Sequence, residues 1–288
     1  MGILAFDIGG SAVKYGVWEE DHLVKQNAVA LPKDWTSMKE TFYKIFEELN
    51  ENKQISGIAL SAPGLVDEAT GEIQGDSAVP YIHRFPIQKE LEEYFALPVT
   101  MENDANCAAL AEVWQGAAKD AQHCIFLVIG TGIGGAIVIN RELFRGKNLF
   151  CGEFGYMFLN DSTCLSISGS MVRALGQYNQ TMGKKIKGEE LFTLAEQGDL
   201  LAEEITTRFF RAIAMGIFNL LVSFDPGLVI LGGGVSANQK VLENIKRHVN
   251  RILIERNVTT MDYRIEACQF GNDANLIGAV YHHTLKKR

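Results

Sequence analysis

Apolar positions in the first thirty residues fall into three stretches, ILAFDI, SAVKYGVWEE and HLVKQNAVAL, separated by Gly9-Gly10 and Glu20-Asp21. Short alternating or continuous apolar runs bounded by turn residues read as strands, so the chain opens on three of them. From about Ser37 to Asn50 the period changes, and Met38, Phe42, Ile45, Phe46 and Leu49 recur at helical spacing. Strand ISGIALSAPG ends in a Pro63-Gly64 turn, and Asp67 to Ile73 reads as a small hairpin. Pro86 starts the helix IQKELEEYFA, and strand PVTMEN runs straight into helix ANCAALAEVWQ.

A second hairpin, CIFLVIG…GGAIVIN, then opens a new series. A loop-rich stretch to about Ser170 leads to helices over Met171–Gly176, Glu189–Gln197 and Asp199–Ser223. Strand GLVILGGG, helix Asn238–Arg251, strand YRIEACQ and helix Asn272–Leu285 complete it. The hairpins AFDIGGSAVKYGV and LVIGTGIGGAIVI thus head two halves of similar element content, with no Pro/Gly/Ser-rich linker between them. A repeat at domain period predicts two related α/β halves, each presenting a glycine turn. A cleft between such halves is a natural ligand site.

Composition narrows the partners. The 288 residues are 47% hydrophobic and 22% charged, as in an ordinary globular protein. Net charge is −8, and the longest basic run is Lys286-Lys287-Arg288, so no phosphate-neutralising patch for nucleic acid is expected. A small anion remains compatible, since a few backbone N–H groups and a metal hold one. The five cysteines are scattered and never spaced C-x-x-C, which suits buried reduced thiols. MGILAFDIGG lacks a basic signal region, places Asp7 where a signal would be apolar, and has Phe6 where myristoylation after Met1-Gly2 wants Ser or Thr. The apolar run Ala212 to Phe224 is short for a membrane span and contains Asn219. The expectation is a cytoplasmic protein with no membrane partner.

Gly130, Gly132 and Gly135 spell G-x-G-x-x-G after an apolar strand, with Glu153 downstream as a possible ribose acid. A dinucleotide fingerprint needs a helix after that turn, to receive the pyrophosphate. The chain continues AIVINREL, which favours a strand. The glycines therefore read as a hairpin turn, either purely structural or a nest of backbone N–H groups for phosphate. Two further glycine turns favour the second reading. Asp7-Ile8-Gly9-Gly10 sets a carboxylate suited to hydrated Mg²⁺ beside one, and Leu231-Gly232-Gly233-Gly234-Val235 ends another buried strand.

DIGGSAVKYGV, SAPGLVDEATGEI, MENDANCAALAE, GTGIGGAIV, GEFGYM and LGGGVS, in this order, resemble the ROK family (repressor, open reading frame, kinase) of the actin-like sugar kinase superfamily. The likeness spans essentially the whole chain. It implies two RNase H-like (actin-like ATPase) lobes with an interlobe cleft that holds ATP and a sugar. The first lobe would be 1–117 plus 272–288 and the second 118–271. On this resemblance Asp7, Gly9, Gly10 and Ser11, with Lys14 nearby, form the first phosphate loop. Gly130, Thr131, Gly132 and Gly134 form the second, and Gly232, Gly233 and Gly234 the turn beside adenosine. Asn103 and Asp104 match the family's sugar-and-base pair, and Glu153 in GEFG a sugar-hydroxyl ligand. Pro63, Gly64 and the loop around Asp76-Ser77 line the sugar's other side. A homodimer is implied as well, and a sugar-responsive regulator or non-catalytic sugar-binding protein is the competing reading. Regulators of the family carry an added helix-turn-helix, for which a first strand starting at residue 3 leaves no room.

Phosphoryl transfer asks for positioning and charge stabilisation. Asp104 is the candidate base that takes the proton of the attacking sugar hydroxyl. Read from the residues alone, Asp104 equally serves as N-cap of the helix starting at Ala105, Glu153 as a solvated loop carboxylate, and Asp7 as a strand-end turn residue. Two departures from the family pattern matter. Tyr156 stands where zinc-bearing relatives have His, and only Cys164 of their cysteine cluster remains, so no structural zinc is expected. Ser166 takes the place of the cluster's terminal Glu if Cys164 aligns with its final Cys. Both losses fall on contacts to carbons 1 and 2 of the sugar. The implied substrate keeps a reacting C6 end and carries extra bulk elsewhere, as in a β-glucoside or N-acetylmannosamine.

Overall fold

The computed structural model describes residues 2–50, 54–234 and 236–287. Met1, Val235 and Arg288, which enter the readings of the N-terminus, the third glycine turn and the basic tail, lie outside the described residues. The strands are β1 (Gly2–Ile8), β2 (Ala12–Glu19), β3 (His22–Ala30), β4 (Ile55–Ala62), β5 (Leu65–Asp67), β6 (Glu72–Gln74), β7 (Val99–Asn103), β8 (Cys124–Ile129), β9 (Ile133–Ile139), β10 (Glu142–Leu143), β11 (Phe158–Asn160), β12 (Thr163–Cys164), β13 (Leu228–Gly232) and β14 (Arg264–Ala267). The helices are α1 (Trp35–Leu49), α2 (Ile87–Phe95), α3 (Asp104–Gln115), α4 (Leu165–Ser168), α5 (Met171–Met182), α6 (Gly188–Glu196), α7 (Leu200–Phe224), α8 (Gln239–Glu255) and α9 (Ala274–Lys286). Two compact units result. Unit 1 comprises Met1–Lys119, Gly146–Phe150 and Asn272–Arg288, and unit 2 comprises Asp120–Arg145 and Cys151–Gly271.

Each unit is built on a five-stranded sheet of the same plan. In unit 1 the order is β3-β2-β1-β4-β7, antiparallel across β1, β2 and β3 and parallel across β1, β4 and β7. In unit 2 it is β10-β9-β8-β13-β14, with the same alternation of sense. The central strands β1, β8 and β13 are buried apart from half-buried Val128, as expected of sheet strands covered on both faces. In unit 1, α1 turns Met38, Phe42 and Ile45 inward, and the Phe42 ring stacks on Phe6 with centroids 4.1 Å apart. Helix α9 lies against α3 and the strands β1, β4 and β7. That approach is close enough that any Cβ at Gly278 would collide with the Cys107 carbonyl. In unit 2 the core gathers around α7, where Phe209, Ile213, Ile217 and Leu221 are buried.

The structure differs from the sequence reading in several places. Helix α1 begins at Trp35 rather than Ser37, because Asp34 caps it by accepting the Ser37 N–H. Helix α5 runs six residues past Gly176 to Met182 and stops at Gly183, whose φ of 61° is the left-handed cap. The stretch before Ser170 contains the β11–β12 pair and α4. Helix α7 is 25 residues, long and apolar enough by length and composition to cross a membrane, although its apolar face forms the unit 2 core. After Gly132 the chain enters β9, antiparallel to β8, so the strand–turn–helix of a dinucleotide site is not formed.

Candidate functional site

The C-terminal ends of parallel strands β1, β4 and β7 carry one group of residues. Asp7, Ser61 and Glu102 are register partners across them. Asp7 is 6% exposed, and its Oδ1 accepts hydrogen bonds from Ser61 Oγ at 2.8 Å and Asn275 Nδ2 at 2.9 Å. A buried carboxylate so held cannot swing, and its hard oxygen donors suit Mg²⁺. Beside it, the turn closes with Gly9 N–H donating to the Ala12 carbonyl, and Ser11 is exposed. Lys14, opposite Asp7 in the β1–β2 ladder, donates to the Asn272 carbonyl at 3.3 Å. Any Cβ at Gly10 would meet Ala78 Cβ at 2.9 Å, so the first glycine turn sits against the 76–78 loop.

One strand position beyond this row lies Asn103, and Asp104 follows it as the first residue of α3. The helix cap is Asn103, whose Oδ1 accepts the Asn106 N–H at 3.1 Å; Asp104 occupies the first helical position. This corrects the alternative that made Asp104 the cap of α3. Asp104 Oδ1 accepts the Ala105 N–H at 2.8 Å and is half-buried. Asn103 also donates through Nδ2 to the Gly64 carbonyl at 3.0 Å, which joins two of the predicted sugar-side segments. Glu102, 1% exposed, supports the same turn by accepting from Asn103 N–H and Asn106 Nδ2, each at 2.8 Å. Behind it, Glu68 pairs with His282 at 3.0 Å and Lys286 at 2.6 Å. Glu68, Glu102 and His282 form the one group of three potential metal ligands among the described residues. Ser77 is half-buried and bonds to His83, and Pro63 is half-buried beside Gly64.

Unit 2 carries the second glycine turn. Gly130 N–H donates to the Gly132 carbonyl, closing the turn at 3.0 Å. Ser170 Oγ braces it from below, donating toward the Thr131 carbonyl at 2.8 Å while capping α5. Ser166 Oγ accepts the Ile133 N–H at 2.9 Å, at the point where the turn becomes β9. Thr131 and Gly132 are exposed, and a Cβ at Gly134, the first site residue within β9, would meet nothing within 4 Å. At the end of β13, Gly232 is buried, while Gly233 and Gly234 are exposed. Gly233 is required by the backbone, since its φ is 85° and any Cβ would collide with the Ile129 carbonyl. Between these turns and the N-termini of α5 and α6 lies a pocket of about 880 Å³, large enough for a nucleoside. Gly130, Thr131 and Gly234 line it, together with Met171, Lys187, Phe192 and Asn238. These last four carry no glycine spelling, and only assembly of the helices exposes them.

Glu153 is half-buried at the start of a short 3₁₀ turn, Phe154–Tyr156, and burial raises its carboxyl above the ordinary glutamate value. Gly155 behind it allows no side chain, because a Cβ would collide with Ser166 Oγ and the Ile133 carbonyl. Tyr156 is 70% exposed, and Phe158 two residues on is 71% exposed. Cys151 and Cys164 are free, half-buried thiols.

Two five-stranded sheets of identical plan, each with a glycine turn in its first hairpin, define the actin-like ATPase class. The ROK family model matches residues 3–284, and the chain belongs to the ROK family. A β-glucoside kinase of Listeria monocytogenes is 36% identical, with 98% of this chain and 97% of that protein covered. Among solved structures, a ROK family protein from Streptococcus pneumoniae TIGR4 in complex with sucrose matches with TM-score 0.92 and 33% identity, over 100% of this chain and 99% of that one. A candidate N-acetylmannosamine kinase from Listeria monocytogenes matches with TM-score 0.90 and 35% identity over the full length of both.

Proposed function

We infer that this chain, an ATP-dependent sugar kinase of the ROK family, transfers the γ-phosphate of MgATP to the C6 hydroxyl of a substituted hexose, with a β-glucoside favoured. The observation that carries the reading is the division of labour at the start of α3. Asn103 takes the capping role and Glu102 fixes the turn, which places Asp104 in the first turn of α3, directly after the end of β7, with its Oδ1 oriented by the Ala105 N–H. In the proposed step Asp104 accepts the proton of the attacking hydroxyl as its oxygen bonds to phosphorus, and ADP departs with the electron pair of the broken P–O bond. Glu153, as carboxylate, accepts hydrogen bonds from sugar hydroxyls, and Asn103 and Ser77 offer further polar groups. The turns Gly9-Gly10-Ser11 and Gly130–Gly132 offer backbone N–H groups to the ATP phosphates, and Gly134 keeps the adjoining space clear. Lys14 adds a positive charge beside the first turn.

Asp7 would hold Mg²⁺, which when bound neutralises phosphate charge as it develops. The 880 Å³ pocket beside Gly234 would take adenosine, with Gly232 and Gly233 shaping the strand end beneath it. The preference for a substituted sugar rests on Ser166 and Tyr156. Ser166 is committed to the Ile133 backbone, and Tyr156 turns largely to solvent, so neither brings a carboxylate or imidazole alongside Glu153. The name of the Listeria β-glucoside kinase agrees with a β-glucoside, and the sucrose of the S. pneumoniae relative, an α-glucoside, agrees only with a substituted hexose. On this reading the partner is a small sugar rather than nucleic acid or membrane, zinc plays no part, and the enzyme is a cytoplasmic homodimer. The test is an ATP-coupled panel of glucose, methyl β-D-glucoside and N-acetylmannosamine. Faster turnover of a substituted hexose is expected, and strict preference for unmodified glucose would remove the substrate assignment.

A further inference from the structure

The loop after β6 contains a histidine that neither the glycine turns nor the base requires. His83 Nε2 lies 2.7 Å from Ser77 Oγ, and Ser77 Oγ accepts the Val79 N–H at 3.1 Å. The other ring nitrogen, Nδ1, is shielded from solvent and has no hydrogen-bond partner among the described residues. The ring is wedged against Gly64, where φ is 104° and a Cβ would stand 2.8 Å from His83 Cε1. Gly64 is the residue whose carbonyl holds Asn103. His83 thus touches both predicted sugar-side segments at once.

Proton accounting chooses the tautomer. A proton on Nδ1 would be a buried N–H with no acceptor, a rarity in proteins, and would oblige Ser77 to spend its own hydroxyl proton on Nε2. A proton on Nε2 leaves only an unused lone pair in the buried position. In that state Ser77 Oγ receives two donors, Val79 N–H and His83 Nε2–H, and its own O–H must point elsewhere. We propose that His83 is a positioning residue that fixes the Ser77 hydroxyl as a donor toward a sugar oxygen. This rests on the reading of the Gly64–Ser77 segments as part of the sugar site. The arrangement selects for an acceptor lone pair at that point of the substrate and against a second donor.

Kinetics of four variants test it, with ATP and each of glucose, methyl β-D-glucoside and N-acetylmannosamine as acceptor. Ser77→Ala and His83→Leu are each expected to raise the sugar KM about tenfold, as for loss of one oriented hydrogen bond, with the ATP KM unchanged. His83→Gln, whose amide N–H can replace Nε2–H, should recover most of the loss. In the Ser77→Ala background, His83→Leu should add nothing further, because its effect passes through the hydroxyl. A full further rise in that background would make His83 a packing residue and overturn the proposal, as would an unchanged sugar KM in Ser77→Ala. Those outcomes leave the kinase reading standing, whereas failure of the parent enzyme to phosphorylate any of the three sugars would remove the reading beneath it.

Discussion

The glycines separate by what surrounds them. Gly134 has open space where a side chain would go, and Gly233 has the Ile129 carbonyl. Gly134→Ala should therefore melt at the parent temperature while the ATP KM rises about tenfold, or about 1.4 kcal/mol. Gly233→Ala should lose about 1–3 kcal/mol of stability through its left-handed backbone, read by urea unfolding. An unchanged ATP KM in Gly134→Ala would detach that residue from the phosphates. Glu153 makes a pH-dependent case. Burial raises its folded pKa above 4.5, so the native state binds the proton more tightly than the unfolded chain does. Ionising it costs native stability as pH rises past 4.5 and through the raised value. Glu153→Gln should therefore gain stability relative to the parent as pH climbs toward neutrality, while its sugar KM increases. A stability difference independent of pH would contradict this.

At the scale of elements, much was legible because each strand and helix announces itself by period. Both glycine hairpins, the β4 strand, α3 and α9 follow from alternation or helical spacing together with turn residues. The strand character of Ala136 to Ile139 argues against a dinucleotide site at the G-x-G-x-x-G spelling, and β9 forms there. What local pattern did not convey was contact between distant residues. Ser61 and Asn275 on Asp7, Ser166 under Ile133 and Lys187 at the unit 2 pocket are placed by pairing and packing, and no spacing rule encodes them. The α3 cap is ambiguous by one residue in the sequence, because Asn103 and Asp104 are both good capping types and nothing local says which carboxamide or carboxylate faces Asn106; the structure gives the cap to Asn103. Asn103→Ala should cost about 1 kcal/mol of stability through that cap and also free the Gly64 carbonyl. Asn103→Asp keeps the cap acceptor, so it should retain more stability than the alanine variant in thermal unfolding.

Across the whole molecule, acid sensitivity should report α9. His283 is fully buried there, with Nδ1 2.9 Å from Thr100 Oγ1 and Nε2 without a partner among the described residues. Burial, with Lys287 and His282 adding to it, lowers its pKa from 6.5 to about 4. Between those values the unfolded chain binds a proton that the native state refuses, so stability falls as pH drops through 6.5 toward 4, by up to about 3 kcal/mol. His283→Gln should flatten that limb in urea titrations, and an unchanged slope would locate the sensitivity elsewhere. The proposed base and metal ligand belong to unit 1, and the proposed second phosphate turn and nucleoside pocket belong to unit 2. The base is the point on which the account turns. The most direct test is ATP-coupled turnover of methyl β-D-glucoside by Asp104→Asn and the parent. The account predicts a kcat lower by about 10²–10⁴-fold with both KM values within a few-fold, and a kcat equal to the parent's would contradict it.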